Sequence, residues 1–190
     1  MNKNRLEAFS DGVLAIIITI MVLEMHAPHT ADLASLRPLI PVFISYALSF
    51  TFIGIYWNNH HHMLQAAERV NGSILWANLH LLFWLSLIPF TTAWMGLNHF
   101  APAPVAMYGV VLLLAGVAYS ILARLLSAHH GRHSTFAKAL GDDRKGKLSI
   151  ALYAVAIPLA FLSPRLSYTL YALVALIWLC PDSRFEKAMS

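Results

Sequence analysis

Charge is scarce in this chain: Asp, Glu, Lys and Arg make up 12% of its 190 residues, about half the share of a soluble globular domain, which is about 25%. Cysteine is scarcer, with Cys180 alone. That excludes an intrachain disulfide and any Cys-x-x-Cys metal signature. No low-complexity stretch, linker or soluble module interrupts the chain. Nothing in the second half echoes the Phe9-Ser10-Asp11 motif of the first, so an inverted-repeat transporter has no support in the sequence. Nor does any basic-aromatic stripe suggest RNA or DNA, and no nucleic-acid partner is expected.

What is abundant is apolar: 58% of residues are hydrophobic and the mean hydropathy is positive. The apolar residues gather into runs of about 15 to 24, and a bilayer crossing needs about 20. The expectation is an all-α membrane protein, one membrane domain over residues 1–190, with six transmembrane helices. The predicted spans are Leu6 to Met25, Leu39 to Trp57, Ile74 to Leu97, Val105 to Leu126, Leu148 to Leu162 and Leu166 to Cys180. The last two are short and joined by Ser163, Pro164 and Arg165, which allows a re-entrant hairpin or two steep helices. Pro28, Pro38, Pro41, Pro89 and Pro158 read as span boundaries or kinks. Residues 127–147 form the longest connection, expected to be cytoplasmic and to carry a short surface helix. The first segment is expected to persist as a helix, because Asp11 interrupts a signal-peptide pattern and His26-Ala27-Pro28 offers no small-x-small cleavage site.

Orientation follows from the basic residues. With both termini in the cytoplasm, the inner segments hold Lys3, Arg5, Arg69, Arg124, Arg132, Lys138, Arg144, Lys145, Lys147, Arg184 and Lys187, while the outer loops hold only Arg37 and Arg165. Such asymmetry is the positive-inside pattern and predicts an N-in/C-in topology. It also accounts for the basic balance of the chain without any polyanionic partner.

The first span opens on Arg5 and Phe9-Ser10-Asp11. On a helix each residue advances about 100°, so with Asp11 at zero, Thr19 lies at about 80°, Leu23 at about 120°, Ile16 at about 140° and Ile20 at about 180°. Ile16, Thr19, Ile20 and Leu23 thus form one stripe, and Ser10 and Asp11 lie away from it. The stripe could simply meet lipid or neighbouring helices. A carboxylate at this depth is costly against lipid and is expected to face the protein and find a partner. Asp11 is either a polar lock between helices, favoured by the helix amino end, or an ion or proton site. In the N-in topology, Trp57 and His60-His61-His62 at the end of the second span and Trp76, Asn78 and His80 at the start of the third share its depth. A cage of Trp57, His60 and Asn78 around Ser10 and Asp11 would satisfy groups that hydrocarbon cannot.

Arg5, Phe9-Ser10-Asp11, Ala15-Ile16 and Thr19, with Ser49-Phe50, Trp57 and His60 in the second span and Asn78-Leu79 through Pro89-Phe90 in the third, resemble the endolysosomal transmembrane potassium channel family, specifically its six-span bacterial homologues. The resemblance is close over the first three spans and rests on hydropathy over the last three. It implies a homotetramer of six-helix subunits in the cell membrane, multi-pass, plasma or bacterial inner membrane. Four copies of the first helix would line a central pore for monovalent cations, with no cofactor and potassium as the permeant. The family lacks the usual potassium-channel filter, and this chain has no TVGYG-type loop.

Carried over by position, the pore-facing residues fall on Ile16, Thr19, Ile20 and Leu23, the stripe already found from spacing. Rings of Ile16 and Leu23 would then form a dry constriction of the dewetting kind. A ring of Thr19 hydroxyls could partly replace hydration water and favour potassium, unless each hydroxyl bonds back to the preceding turn. Arg5, Phe9, Ser10, Asp11, Trp57, His60 and Asn78 would clamp the pore helix to its neighbours. Arg5, at about 120°, would reach the pore mouth if the helix extends that far, unless the chain there is non-helical or Arg5 pairs with Asp11. Glu24, off the stripe at the outer end, reads as a solvated charge or a cation-concentrating one.

Two other readings compete. A proton-coupled transporter could use Asp11. A membrane metalloenzyme could hold zinc or iron through cytoplasmic-face histidines, above all His129 and His133, which are four apart. Against the second, no carboxylate sits within the first histidine group, and adjacent histidines on a helix diverge by about 100°. The bland alternatives are interfacial polar residues or a pH-responsive patch.

Overall fold

The computed structural model describes residues 3–67, 69–130 and 143–179, and all the regular structure among them is helical. Helix α1 spans Lys3–Leu23. A 3-10 helix, Leu33–Leu39, leads into α2, Ile40–Gln65. Then come α3 (Gly72–Ser86), α4 (Ile88–Leu97), α5 (Pro102–His130), α6 (Arg144–Leu162) and α7 (Pro164–Leu179). By length and composition five stretches can cross a bilayer: α1, the 3-10 helix with α2, α3 with α4, α5, and α6. The sixth, α7, has 16 apolar-rich residues, about 24 Å of helix against a core of about 30 Å.

The breaks have local causes. Pro41 and Pro89 sit in the first turns of α2 and α4, where the missing N–H is an orphan in any case. Pro89 thereby divides the third predicted span at Leu87. Asn71 caps α3 by accepting from the Ile74 N–H at 3.0 Å, and Asp143 caps α6 by accepting from the Gly146 N–H at 3.3 Å.

Some helices run beyond the predicted spans. Helix α2 continues two turns past Trp57, to Gln65, because its polar end finds partners. The Asn59 amide donates to the Ile55 carbonyl at 2.8 Å, and His60 is buried. Helix α6 starts at Arg144, four residues before Leu148, and α5 runs to His130, into the predicted connection. The last two spans are separate helices, the second opened by Pro164. His133, Cys180, Arg132, Lys138, Arg184, Lys187 and the surface helix expected within 127–147, beyond His130, lie outside the described residues.

Helix α5 is the centre of the bundle and packs against α3, α4, α6 and α7. Helix α1 lies at one edge, packed mainly on α2, α3 and α4. It buries Leu6, Ser10, Leu14, Ile17 and Met21, a spacing of three and four that makes one face. Mid-bundle, the Ser49 hydroxyl meets Thr92 Oγ1 at 2.7 Å and Tyr108 Oη at 3.0 Å. These buried hydroxyls tie α2, α4 and α5 where lipid and packed side chains offer no water.

Gly96 marks the closest crossing of α4 and α2. A Cβ there would stand 2.8 Å from the Val42 Cα and 2.6 Å from Ser45 Oγ, and backbone cannot yield as a side-chain tip can. Gly96→Ala is expected to destabilise by about 1–3 kcal/mol through overpacking, read as a lower unfolding midpoint of the detergent-purified protein. Gly54→Ala, whose Cβ meets nothing within 4 Å, should leave the midpoint unchanged or raise it.

Candidate functional site

Ser10 and Asp11 of the first span, Trp57 and His60 of the second and Asn78 of the third collect at the amino-terminal end of α1. Ser10 donates to the Leu6 carbonyl at 2.8 Å, as a serine back-bonds within its own helix. It also accepts from Asn78 Nδ2 at 2.9 Å. Asn78 turns its carbonyl oxygen to His60 Nε2 at 2.7 Å. Since that oxygen can only accept, the histidine proton lies on Nε2. All three side chains are essentially inaccessible, at 0%, 0% and 1% exposure. The chain Ser10, Asn78, His60 therefore joins α1, α3 and α2 in one buried line. His60 Nδ1 has no partner among the described residues.

A second set of contacts runs along the seam between α1 and α2. Lys3 Nζ donates to the Gln65 carbonyl at 3.3 Å, Glu7 Oε1 meets His61 Nδ1 at 3.0 Å, and Trp57 Nε1 donates to Asp11 Oδ1 at 3.1 Å. Each step of four residues forward on α1 is matched by four backward on α2. The helices are thus antiparallel with one register, and every turn of the seam carries a polar rung. The His61 ring stacks on Trp57 with centroids 6.1 Å apart, joining two rungs. The Lys3 and Glu7 rungs have no signal in the sequence alone beyond the four-residue spacing of Lys3, Glu7 and Asp11 against Trp57, His61 and Gln65.

Not every predicted member joins. Phe9 is 53% exposed, and Arg5 is exposed with no partner among the described residues. Helix α1 already includes Arg5, so neither a non-helical start nor a pair with Asp11 removes it from the meridian of the stripe. Trp76 points away from the bundle, and His80 accepts from Trp84 Nε1 at 2.9 Å within its own helix.

Opposite the buried face, α1 turns outward the whole predicted stripe: Ile16, Thr19, Ile20 and Leu23 are all exposed in the single chain. The Thr19 hydroxyl donates to the Ile16 carbonyl at 2.9 Å, the back-bond to the preceding turn that the sequence offers as the alternative to a hydroxyl ring; it commits the proton and leaves the oxygen lone pairs. Beside the stripe lie three small exposed residues outside the predicted set, Ala8, Gly12 and Ala15. They fall at about 60°, 100° and 40° and with Thr19 make an edge of small side chains. A Cβ on Gly12 would meet nothing within 4 Å among the described residues, so no contact with them requires glycine there. A mid-helix glycine costs about 0.8–1 kcal/mol against alanine. Small residues at this spacing allow close approach of another helix, and the sequence carries the signal, a small residue every third or fourth position.

The metal reading has less to stand on. His129 Nδ1 lies 3.4 Å from Asn71 Nδ2, and His133 is outside the described residues. Among the described residues no three or more of His, Cys, Asp and Glu come together as metal ligands would.

A bundle of apolar helices with its polar groups paired inside and one helix carrying a small-residue and hydroxyl face outward defines a polytopic helical membrane protein. Residues 5–89 match the family described as endosomal/lysosomal potassium channel TMEM175. A potassium channel of Chryseobacterium sp. strain P1-3 is 53% identical over 189 residues, covering 100% of this chain and 98% of that one. A potassium channel of Streptomyces collinus is 30% identical over 198 residues, covering 94% and 92%. The crystal structure of a lysosomal potassium-selective channel TMEM175 homolog from Chamaesiphon minutus superposes with a TM-score of 0.84 at 28% identity, covering 95% of this chain and 97% of that one. The chain belongs to the TMEM175 family. Membership of a channel family sets aside the metalloenzyme reading.

Asn78 bonds both ends of the buried line, so its loss leaves the buried His60 Nε2–H without an acceptor and Ser10 with its Leu6 bond alone. Asn78→Ala is expected to lower stability by about 2 kcal/mol or more, seen as a reduced unfolding midpoint and less intact assembly on size exclusion. Trp57→Phe, which removes one partly exposed bond, should have the smaller effect.

Proposed function

We propose that the protein is a passive, potassium-selective cation channel, a homotetramer in which four α1 helices surround a central pore, inserted N-in/C-in in the cell membrane. The observation that carries it is the outward face of α1. Lipid-facing surfaces elsewhere carry large apolar groups such as Val155, Phe161, Leu173 and Leu176. The α1 face instead carries Thr19, Gly12 and two alanines beside Ile16, Ile20 and Leu23. In a cyclic assembly each helix shows one edge to each neighbour. The small edge of one copy then receives the large edge of the next, Phe9 and Ile20, and the meridian between them faces the axis. That meridian bears Ile16 and Leu23, with the Thr19 hydroxyl turned in from the small edge.

Ile16 and Leu23 form apolar rings that exclude hydrated ions until the pore widens. Thr19 lies between them, its hydroxyl proton held by the Ile16 carbonyl, so that four oxygens face a passing cation. Potassium sheds water at lower cost than sodium, and a ring of weak neutral ligands favours the ion that needs least in return. Ser10, Asn78 and His60 and the seam rungs of Asp11 and Glu7 fix the rotation of α1. Asp11 engages Trp57 away from the stripe, which supports a positioning role over that of a proton carrier. Arg5 sits at the cytoplasmic mouth, where its long side chain extends into water and its charge is screened over about 8 Å. The positive-inside distribution supports the orientation, and the relatives named as potassium channels support the permeant.

Liposome flux tests the constriction. Ile16→Asn or Leu23→Asn should wet it and raise potassium flux, and unchanged flux in both removes the pore from this face. Thr19→Val should lower the potassium-to-sodium permeability ratio, measured as a shift of reversal potential under mixed-cation conditions; an unshifted potential rules out the hydroxyl ring.

A further inference from the structure

A cleft separate from the α1 face opens where α2, the α4–α5 turn and the α6–α7 turn meet. It encloses about 660 Å³, within the range of about 300–1,000 Å³ in which ligand sites fall. Chain order grades its lining. His99 and Ser163 of the two turns, with Arg165 at the start of α7, make the rim, at the end of the bundle that the proposed orientation places outside. Ile44 and Tyr168, one turn into α2 and α7, make the floor together with Phe100.

Three features point to an anionic amphiphile. The floor is a built one. The Tyr168 hydroxyl donates to the Ile44 carbonyl at 3.3 Å, and the Phe100 ring meets the Tyr168 ring edge-on with centroids 4.9 Å apart. Phe100 reaches it from a turn in which His99 and Phe100 both take left-handed backbone, at φ 50° and 58°. Glycine adopts that conformation without strain, whereas larger residues persist there when the surroundings impose it. The rim, by contrast, is unspent. The Arg165 guanidinium, the His99 imidazole and the Ser163 hydroxyl make no hydrogen bond or ion pair with any described residue, and no described Asp or Glu lines the cleft. The Thr169 hydroxyl is committed to the Arg165 carbonyl at 2.8 Å. A permanent positive charge thus stands at the rim with no carboxylate to neutralise it. Third, the walls face lipid: Ile44 is 41% and Leu162 85% exposed. A planar guanidinium matches phosphate oxygens two at a time, and the apolar wall below it suits the start of a hydrocarbon chain. A soluble anion would use the guanidinium and leave Ile44 and Leu162 uncovered.

We propose that this cleft holds the head group of one anionic phospholipid of the outer leaflet per chain. Its phosphate pairs with Arg165, its polar end lies against Ser163 and His99, and its hydrocarbon leaves past Ile44 and Leu162. The leaflet rests on the orientation proposed above; the site itself does not depend on ion conduction. A lipid held there joins the turns before α5 and α7 to α2 and reinforces the Tyr168 bond.

The test reconstitutes the whole protein in vesicles of dioleoylphosphatidylcholine with dioleoylphosphatidylglycerol, extracts it, and counts retained lipids by native mass spectrometry. Wild type is expected to retain phosphatidylglycerol in preference to phosphatidylcholine. Arg165→Gln should reduce that preference about fivefold, the share of one basic residue at an anionic lipid surface. Arg37→Gln removes the other basic residue of the outer loops, which does not line the cleft, and should leave the preference unchanged. Thr169→Trp, which fills the cleft from an exposed position on α7, should abolish it. Free glycerol phosphate should not displace the lipid, since the apolar wall holds it as well as the charge. Equal retention of the two lipids by wild type overturns the proposal, as does an undiminished preference in Arg165→Gln or in Thr169→Trp. Equal losses from the two arginine variants, or displacement by glycerol phosphate, overturn it too. If Thr169→Trp does not assemble, the comparison of the two arginine variants decides. Lipid preference without potassium flux would contradict the channel reading and leave the lipid site standing.

Discussion

The rotation of α1 about its own axis is set by one constraint: Ser10, Asn78 and His60 must be paired. Each is a polar side chain away from water, and an unsatisfied polar group in hydrocarbon costs several kcal/mol. A quarter-turn of α1 would take Ser10 from Asn78 and leave the buried Asn78 amide on α3 without its acceptor. The apolar face is a weaker determinant, since in a membrane Leu14 or Ile17 is nearly as content against lipid as against protein. What selects the face that α1 turns outward is therefore the small buried polar line, reinforced by the antiparallel rungs from Lys3, Glu7 and Asp11 to α2.

From that constraint the rest follows in order. With Ser10 inward, Ile16, Thr19 and Leu23 can only face out of the subunit, on a helix that sits at its edge. The glycine at position 12 and the alanines beside it are then either wasted or used by another copy of the same helix. In the proposed tetramer they are used. In that proposed tetramer polar chemistry and conduction are divided between opposite faces of α1: the polar side chains hold the helix, and apolar side chains with one hydroxyl meet the ion. The hydroxyl junction of Ser49, Thr92 and Tyr108 gives α2 a fixed seat, so the seam that orients α1 is anchored in the core of the subunit.

Much of this is legible in the amino-acid sequence. Helical spacing separates Ser10 from the Ile16–Leu23 stripe, and alternation of spans places Trp57, His60 and Asn78 at the depth of Asp11. The length of α2 is not legible there, because Asn58-Asn59-His60-His61-His62 looks like a connection until Glu7 and Asn78 are in place to pair with its histidines. Arg5 and Phe9 belong to the clamp by their place in the motif, yet geometry gives them the outward face, since neither is in register with a partner on α2 or α3. The small edge of Ala8, Gly12 and Ala15 is masked by the large apolar residues beside it. Its meaning needs the absence of any neighbour over Gly12, which only packing shows.

The central claim is that the exposed face of α1 lines the conduction path. Its most direct test is thiol scanning of α1 in a Cys180→Ser background, recording potassium current in planar bilayers while a charged thiol reagent is applied. Thr19→Cys and Leu23→Cys should lose current on modification, while Leu14→Cys and Ile17→Cys should be unaffected. Current that is indifferent to reagent at Thr19 and Leu23, or blocked from Leu14 and Ile17, would contradict the account.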